Sequence, residues 1–150
     1  MTVPIGLVIV DHGSRRAESN AMHEEFVASF AARDDAAQYI AVAPAHMELA
    51  TPTVADAIDA VVTAGARRVL VMPYFLFAGN HWERDIPALV DDAARAHPGV
   101  EFLVTAPVGL HPLMQDVVRE RLDQCARHAA GELADCDLCA RTDRCRWVGG

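Results

Sequence analysis

His12 and His81 are the residues of this chain best equipped for chemistry. The first lies in Val-Asp-His-Gly-Ser-Arg (10–15), the second in Pro-Tyr-Phe-Leu-Phe-Ala-Gly-Asn-His-Trp-Glu-Arg-Asp-Ile-Pro (73–87). Imidazole is the usual neutral ligand for divalent transition metals and a proton acceptor near neutral pH. Glu48 offers a harder oxygen ligand or a base. Gly13 admits close backbone approach, and Ser14, Arg15, Arg16 and Arg84 can meet carboxylates, helped by the helix N-terminus that follows. Trp82 and Phe77 carry rings that suit either rim packing or contact with a flat ligand. His46 and His111 stand at comparable places, His111 also reading as a helix start before Pro112, and Asp85 as an N-cap before Pro87.

Residues 69 positions apart meet only if the fold delivers both to one edge. Four β-prone runs, Ile5–Val10, Tyr39–Met47, Arg68–Phe77 and Val100–Pro107, alternate with four helical segments. The first and third runs are almost continuously apolar, as strands buried on both faces are. Helical spacing shows in Met22, Phe26 and Phe30; in Val54, Ile58, Val61 and Val62; in Ile86, Leu89, Val90, Ala93 and Ala94; and in Met114, Val118, Leu122 and Cys125. Thr51-Pro52 reads as the start of the second helix, with proline in its first turn. The alternation predicts an α/β fold, a parallel sheet of four strands with helices on both faces and right-handed crossovers; the topology expected for it is flavodoxin-like, with strand order 2-1-3-4. Ligands of such sheets bind at the carboxyl ends of the strands. His12, His46, Glu48, His81 and His111 all follow strands and are expected on that rim. His23, His97 and His128 fall in helical segments and are expected in solvent.

Composition narrows the function. The chain of 150 residues is 52% hydrophobic and 23% charged, which suits a globular domain with a sizeable core. Its formal charge of −8 argues against nucleic acid as a partner. Lysine is absent and all 13 basic residues are arginine, which excludes a Schiff base and a P-loop lysine. No G-x-G-x-x-G occurs, so a dinucleotide is not expected. No apolar run approaches the ~18 residues of a membrane span. The N-terminus lacks a basic region ahead of an apolar stretch, so the expectation is a cytoplasmic protein without a membrane association.

Taken in order, these motifs resemble those of the small CbiX/SirB-type class II tetrapyrrole chelatases. The likeness rests on the strand and His-Gly-Ser-Arg (12–15), Met-Glu-Leu-Ala-Thr-Pro (47–52), the segment 73–87, and Gly-Leu-His-Pro-Leu (109–113), and it covers roughly residues 4–128. The resemblance implies insertion of a divalent metal into sirohydrochlorin, in cobalamin- or sirohaem-type biosynthesis, with cobalt favoured over iron or nickel. It implies that His12 and His81 handle the metal, with Glu48 as acidic partner. Ser14, Arg15, Arg84 and Trp82 are the candidates for holding the carboxylate-rich macrocycle. Larger members join two such units in one chain, so a single unit implies a homodimer.

Residues 1–129 are expected to form the α/β domain and 130–150 a cysteine-bearing extension. Cys136, Cys139 and Cys145 form C-x2-C-x5-C, with Cys125 eleven residues before Cys136. Four thiolates suit a [4Fe–4S] cluster or zinc, while Cys125 equally suits a core position and the tail a set of free thiols. Some relatives in the resembled family carry an iron–sulfur centre near the C-terminus. Two other functions compete with the chelatase: a non-enzymatic metallochaperone or metal/redox sensor, and a generic α/β hydrolase. The hydrolase lacks a convincing nucleophile, since Ser14 follows His12 without an argued triad.

Overall fold

A computed structural model describes residues 2–133, 136–138 and 145–149. The apolar run Ile5–Asp11 (β1) is an inner strand, buried on both faces. Tyr39–His46 (β2), Arg68–Pro73 (β3) and Glu101–Val104 (β4) complete one all-parallel sheet in the expected order β2-β1-β3-β4. The helices are Ala17–Ala31 (α1), Val54–Thr63 (α2), Ile86–Ala94 (α3) and Leu113–Ala129 (α4). The chain divides into two compact units, Met1–Gly109 and Leu110–Gly150, the second containing α4.

Alternation along β1 sends Val8 and Val10 to one face and Leu7 and Ile9 to the other. The first pair meets Ile58 and Val61 of α2 and Ile86 and Val90 of α3 in the larger core. The second pair meets Val27 of α1, with Phe30 and Met72 packed alongside. Each fully buried Ile or Val side chain contributes roughly 1.5–3 kcal/mol by leaving water. Gly6 lets α2 close on β1, because a Cβ there would fall 2.8 Å from that of Val61 and 2.9 Å from that of Ala66.

Several expected boundaries shift. β3 ends at Pro73 instead of Phe77: proline gives the ladder no N–H, and after one further bond, Tyr74 N–H to Val10 O at 2.7 Å, the chain turns away. β4 covers only 101–104 of the expected 100–107. α2 starts after Pro52. Thr53 is its N-cap: Thr53 Oγ1 accepts from Asp56 N at 3.1 Å and Asp56 Oδ2 accepts from Thr53 N at 2.8 Å, a capping box. That backbone bond from Thr53, with its hydroxyl, holds the Asp56 carboxyl below its ordinary value.

Three side-chain expectations are overturned. The buried stripe of α1 is His23 and Val27, while Met22 and Phe26 are exposed. A polar residue takes the core position because His23 Nε2 bonds the Ile9 carbonyl at 3.0 Å, so His23 is not in solvent. His97 and His128 are half-buried: His97 Nε2 lies 2.6 Å from Asp59 Oδ1, and the His128 Nδ1 atom is buried. The α4 stripe is largely uncovered, with Val118 at 56%, Leu122 at 67% and Cys125 exposed.

Candidate functional site

The end of β1 and the end of β2 are laced together beyond the last paired residues. Met47 N–H donates to Asp11 O at 2.8 Å and Glu48 N–H to His12 O at 3.1 Å. His12 and Glu48 therefore sit side by side, and His12 Nε2 meets Glu48 Oε1 at 2.8 Å. His12 Nδ1 lies 2.9 Å from the Gly13 carbonyl, an oxygen that only accepts, so Nδ1 carries a proton. Gly13 holds a φ of +86°, and a Cβ on it would overlap the Glu48 carbonyl oxygen. No other residue allows the two loops this approach. Leu49, next to Glu48, has a φ of +67°, which for a side chain with a Cβ costs about 1–2 kcal/mol. Such strain is typical of functional loops.

Asn20 of α1 pins the following loop. Its Oδ1 accepts from Ser14 N at 2.9 Å and its Nδ2 donates to Ser14 O at 2.8 Å, while Ser14 Oγ accepts from Arg16 N at 3.0 Å. Arg15, Arg16 and Arg84 are exposed and have no carboxylate partner among the described residues.

His81 arrives differently. Seven residues separate it from the end of β3, and it opens a π-helical turn, His81–Asp85, that runs into α3. Such turns are frequent at functional sites. His81 Nδ1 donates to Asp85 Oδ2 at 2.7 Å, which leaves Nε2 as the lone-pair atom. Asp85 is thus a histidine partner, not the expected side-chain cap of α3. Trp82 ties the turn down by donating Nε1–H to Thr105 O at 2.9 Å. The His12 and His81 ring centroids are 5.1 Å apart and the ring of Phe75 is 6.0 Å from that of His81. Both imidazoles are close to half exposed, with side-chain exposures of 41% and 49%.

Of the expected rim residues, His12 therefore meets two others, Glu48 through a hydrogen bond and His81 through ring proximity. His46 does not join them in solvent: it is fully buried, with Nδ1 2.6 Å from Asp11 Oδ1 and Nε2 3.1 Å from Glu24 Oε1. His23 lies beside it, ring centroids 5.5 Å apart. His111 belongs to the second unit, where its Nδ1 accepts from Leu113 N at 3.2 Å as a helix-start residue. Asn20, His23 and Glu24 carry no signal in the sequence; they are polar residues on a helix whose partners lie on strands or, for Asn20, in the loop after β1.

In the second unit Cys136 is buried, with its thiol 3.8 Å from Asp137 Oδ1, Cys125 is exposed and Cys145 half-buried. Cys139 lies outside the described residues. Arg121 binds Asp137 through two bonds of 2.5 and 2.7 Å, and this guanidinium pulls the Asp137 carboxyl down to about 2. Among the described residues no three His, Cys, Asp or Glu side chains stand together as a metal-holding group. No described helix is long and apolar enough to cross a membrane.

Residues 6–125 match the CbiX family model. The chain is 50% identical over 141 residues to the chloroplastic sirohydrochlorin ferrochelatase of Arabidopsis thaliana, covering 94% of this chain and 61% of that protein. It is 33% identical over 118 residues to a sirohydrochlorin cobaltochelatase of Priestia megaterium, covering 79% of this chain and 37% of that one. The chain thus spans less than two thirds of either relative. Among solved structures, a cobalamin (vitamin B12) biosynthesis CbiX protein of Marinobacter aquaeolei VT8 superposes with a TM-score of 0.64 at 28% identity, over 81% of this chain and 99% of that one. Sheet order, paired histidine motifs and the match over four fifths of its length place the chain in one family: it belongs to the CbiX family.

Proposed function

We propose that the protein is a chelatase that inserts a divalent metal, cobalt or ferrous iron, into sirohydrochlorin. The observation that carries this reading is the pair His12 and His81, brought from distant motifs to 5.1 Å with Glu48 on one of them. A metal that is substrate must be taken up and released. Two half-exposed imidazoles with one adjacent carboxylate suit transfer better than a closed ligand cage would.

The chemistry balances without electron or group transfer. Sirohydrochlorin loses two pyrrole protons as the metal enters, and the metal exchanges waters and protein ligands for four pyrrole nitrogens. His81, its Nδ1–H tied to Asp85, offers Nε2 to the metal. His12 Nε2 faces Glu48, so this pair can hold metal or take up a pyrrole proton, depending on which partner is in place. Ser14, Arg15 and Arg84 are the groups for the substrate carboxylates, and they must work locally because the net charge of −8 opposes a polyanion. Trp82, whose N–H is taken by Thr105, offers its ring, and the same connection exposes Leu76 and Phe77.

The iron-named relative at 50% identity and the cobalt-named one at 33% support the metal class. A homodimer belongs to the reading, resting on the resemblance to members that join two such units in one chain.

The test is anaerobic metal insertion into sirohydrochlorin, followed by its absorption spectrum, with Co2+, Fe2+ and Ni2+. His12→Ala and His81→Ala are each expected to lose at least tenfold in rate, about 1.4 kcal/mol. Wild-type rates no faster than the uncatalysed reaction, with stoichiometric metal binding, would favour a metallochaperone instead. Full rates in both variants would refute the site.

A further inference from the structure

Beneath the His12–Glu48 pair lies a second polar cluster that the insertion chemistry does not use. We infer that buried His46, clamped between Asp11 and Glu24, is a positioning residue that fixes Glu48 against His12 and so sets metal affinity. The inference rests on the chelatase reading of the site above it.

His46 ties three elements. It closes β2 and pairs in register with Asp11 at the end of β1. Its Nδ1 lies 2.6 Å from Asp11 Oδ1 and its Nε2 3.1 Å from Glu24 Oε1 on α1. Its backbone N–H donates to Pro52 O at 2.8 Å, which turns the chain back after Glu48. His12 follows Asp11 directly, and Glu48 is two residues past His46. The ring therefore anchors both backbones from which the two functional side chains leave. A simpler core residue could fill the volume, but no apolar side chain could hold Asp11 and Glu24 at once. A ring with 0% exposure and both nitrogens on carboxylates is fixed in orientation in a way that an exposed histidine is not. His81 reaches the site from the other side on its own π turn and is independent of this clamp.

The experiment uses the full chain and three replacements with different atoms. His46→Leu fills the space and bonds nothing. His46→Asn keeps a donor near the Nδ1 position facing Asp11. Glu24→Ala removes the outer partner, whose own side chain is 43% exposed, so it tests the clamp even if His46→Leu fails to fold. KM for Co2+, KM for sirohydrochlorin and kcat are measured for each. The expected result is a Co2+ KM raised at least tenfold in His46→Leu, within the ~10–100-fold typical of outer-shell partners, with the sirohydrochlorin KM unchanged. His46→Asn should recover most of that loss, and Glu24→Ala should also raise the Co2+ KM. A role in packing alone would leave the Co2+ KM of folded His46→Leu and of Glu24→Ala at wild-type values, and that outcome overturns the inference. Co2+ affinity of the same proteins is read from visible absorption without sirohydrochlorin. A wild type that binds Co2+ but turns nothing over therefore refutes the chelatase reading and leaves the clamp separately testable.

Discussion

Replacing Gly13 with alanine should disable the site without touching a functional side chain. Two effects add. The φ of +86° is left-handed, a region in which an L side chain costs about 1–2 kcal/mol. The new Cβ would also overlap the Glu48 carbonyl oxygen and sit 3.1 Å from its carbon and 3.2 Å from the His46 Cβ. The overlap is with backbone, so no rotamer change relieves it. Restoring an ordinary carbon–oxygen contact of about 3.3 Å moves the Glu48 loop by on the order of 1 Å. A misplacement of ~1 Å at a reacting centre loses about 100-fold in rate. Stability should fall by about 1–3 kcal/mol, or several degrees in Tm at ~2–4 °C per kcal/mol. Gly79→Ala is the matched control, because a Cβ there meets nothing within 4 Å and the residue lies near His81. The assay is cobalt insertion followed by absorbance, beside a thermal melt. Wild-type kcat/KM and Tm in Gly13→Ala would refute the interlocked loops on which the site geometry depends.

Asp85→Ala should raise the KM for metal roughly 10-fold or more by freeing the His81 ring, while Asp85→Asn, whose amide oxygen can still accept from Nδ1–H, should lie between it and wild type in the same titration. Thr53→Ala removes the hydroxyl half of the capping box, leaving the backbone N–H of residue 53 to Asp56 Oδ2, and should lower stability by about 1 kcal/mol in urea unfolding, with insertion rates close to wild type. Asp137 should titrate near 2 by carboxyl NMR and return towards 3.8 in Arg121→Gln. Because its folded value is depressed, the pair favours the folded form above about pH 4 and that contribution fades as pH falls from there towards 2.

The parts of this fold legible in the sequence are those written in apolar periodicity. β1 and β3 announce themselves as almost continuous apolar runs, and Val54, Ile58 and Val61 fall on the buried face of α2 as their spacing requires. Strand–helix alternation and handed crossovers imply a parallel sheet with helices on both faces; they leave several strand orders open, and the expected 2-1-3-4 is the one observed. Periodicity fails where a polar residue occupies a core position. On α1 it selects Met22 and Phe26, but His23 takes the inner place because the Ile9 carbonyl satisfies it. The same blindness hides the clamp. His46 reads as one more rim histidine, and nothing in a helix sequence says that Glu24 will meet it from 22 positions away. Asp85 shows the converse error: acid before Ile-Pro is good cap chemistry, yet the π turn puts its carboxylate beside His81 instead.

The two sides of the proposed site are held differently, and under the chelatase reading this bears on how a metal would be both captured and surrendered. His12 and Glu48 stand on strand ends continued by ladder bonds, over a buried clamp, with a glycine that tolerates no Cβ. That side cannot adjust without breaking several bonds together. His81 stands on a short π turn whose side-chain restraints are one indole bond and one carboxylate, beside local backbone bonds to Gly79 O, in a connection whose Leu76 and Phe77 are exposed. Each of these side-chain restraints is a single hydrogen bond, worth about 0.5–1.5 kcal/mol net, or up to ~3 where a charge is involved. A metal bridging the two sides would be released most easily by movement of the His81 side. Weakening that side should shorten metal residence, whereas weakening the His46 clamp should spoil capture at the His12 side. Stopped-flow dissociation of Co2+ separates the two: Asp85→Ala should act mainly on the off-rate. Equal dissociation rates in Asp85→Ala and wild type would rule out this division of labour.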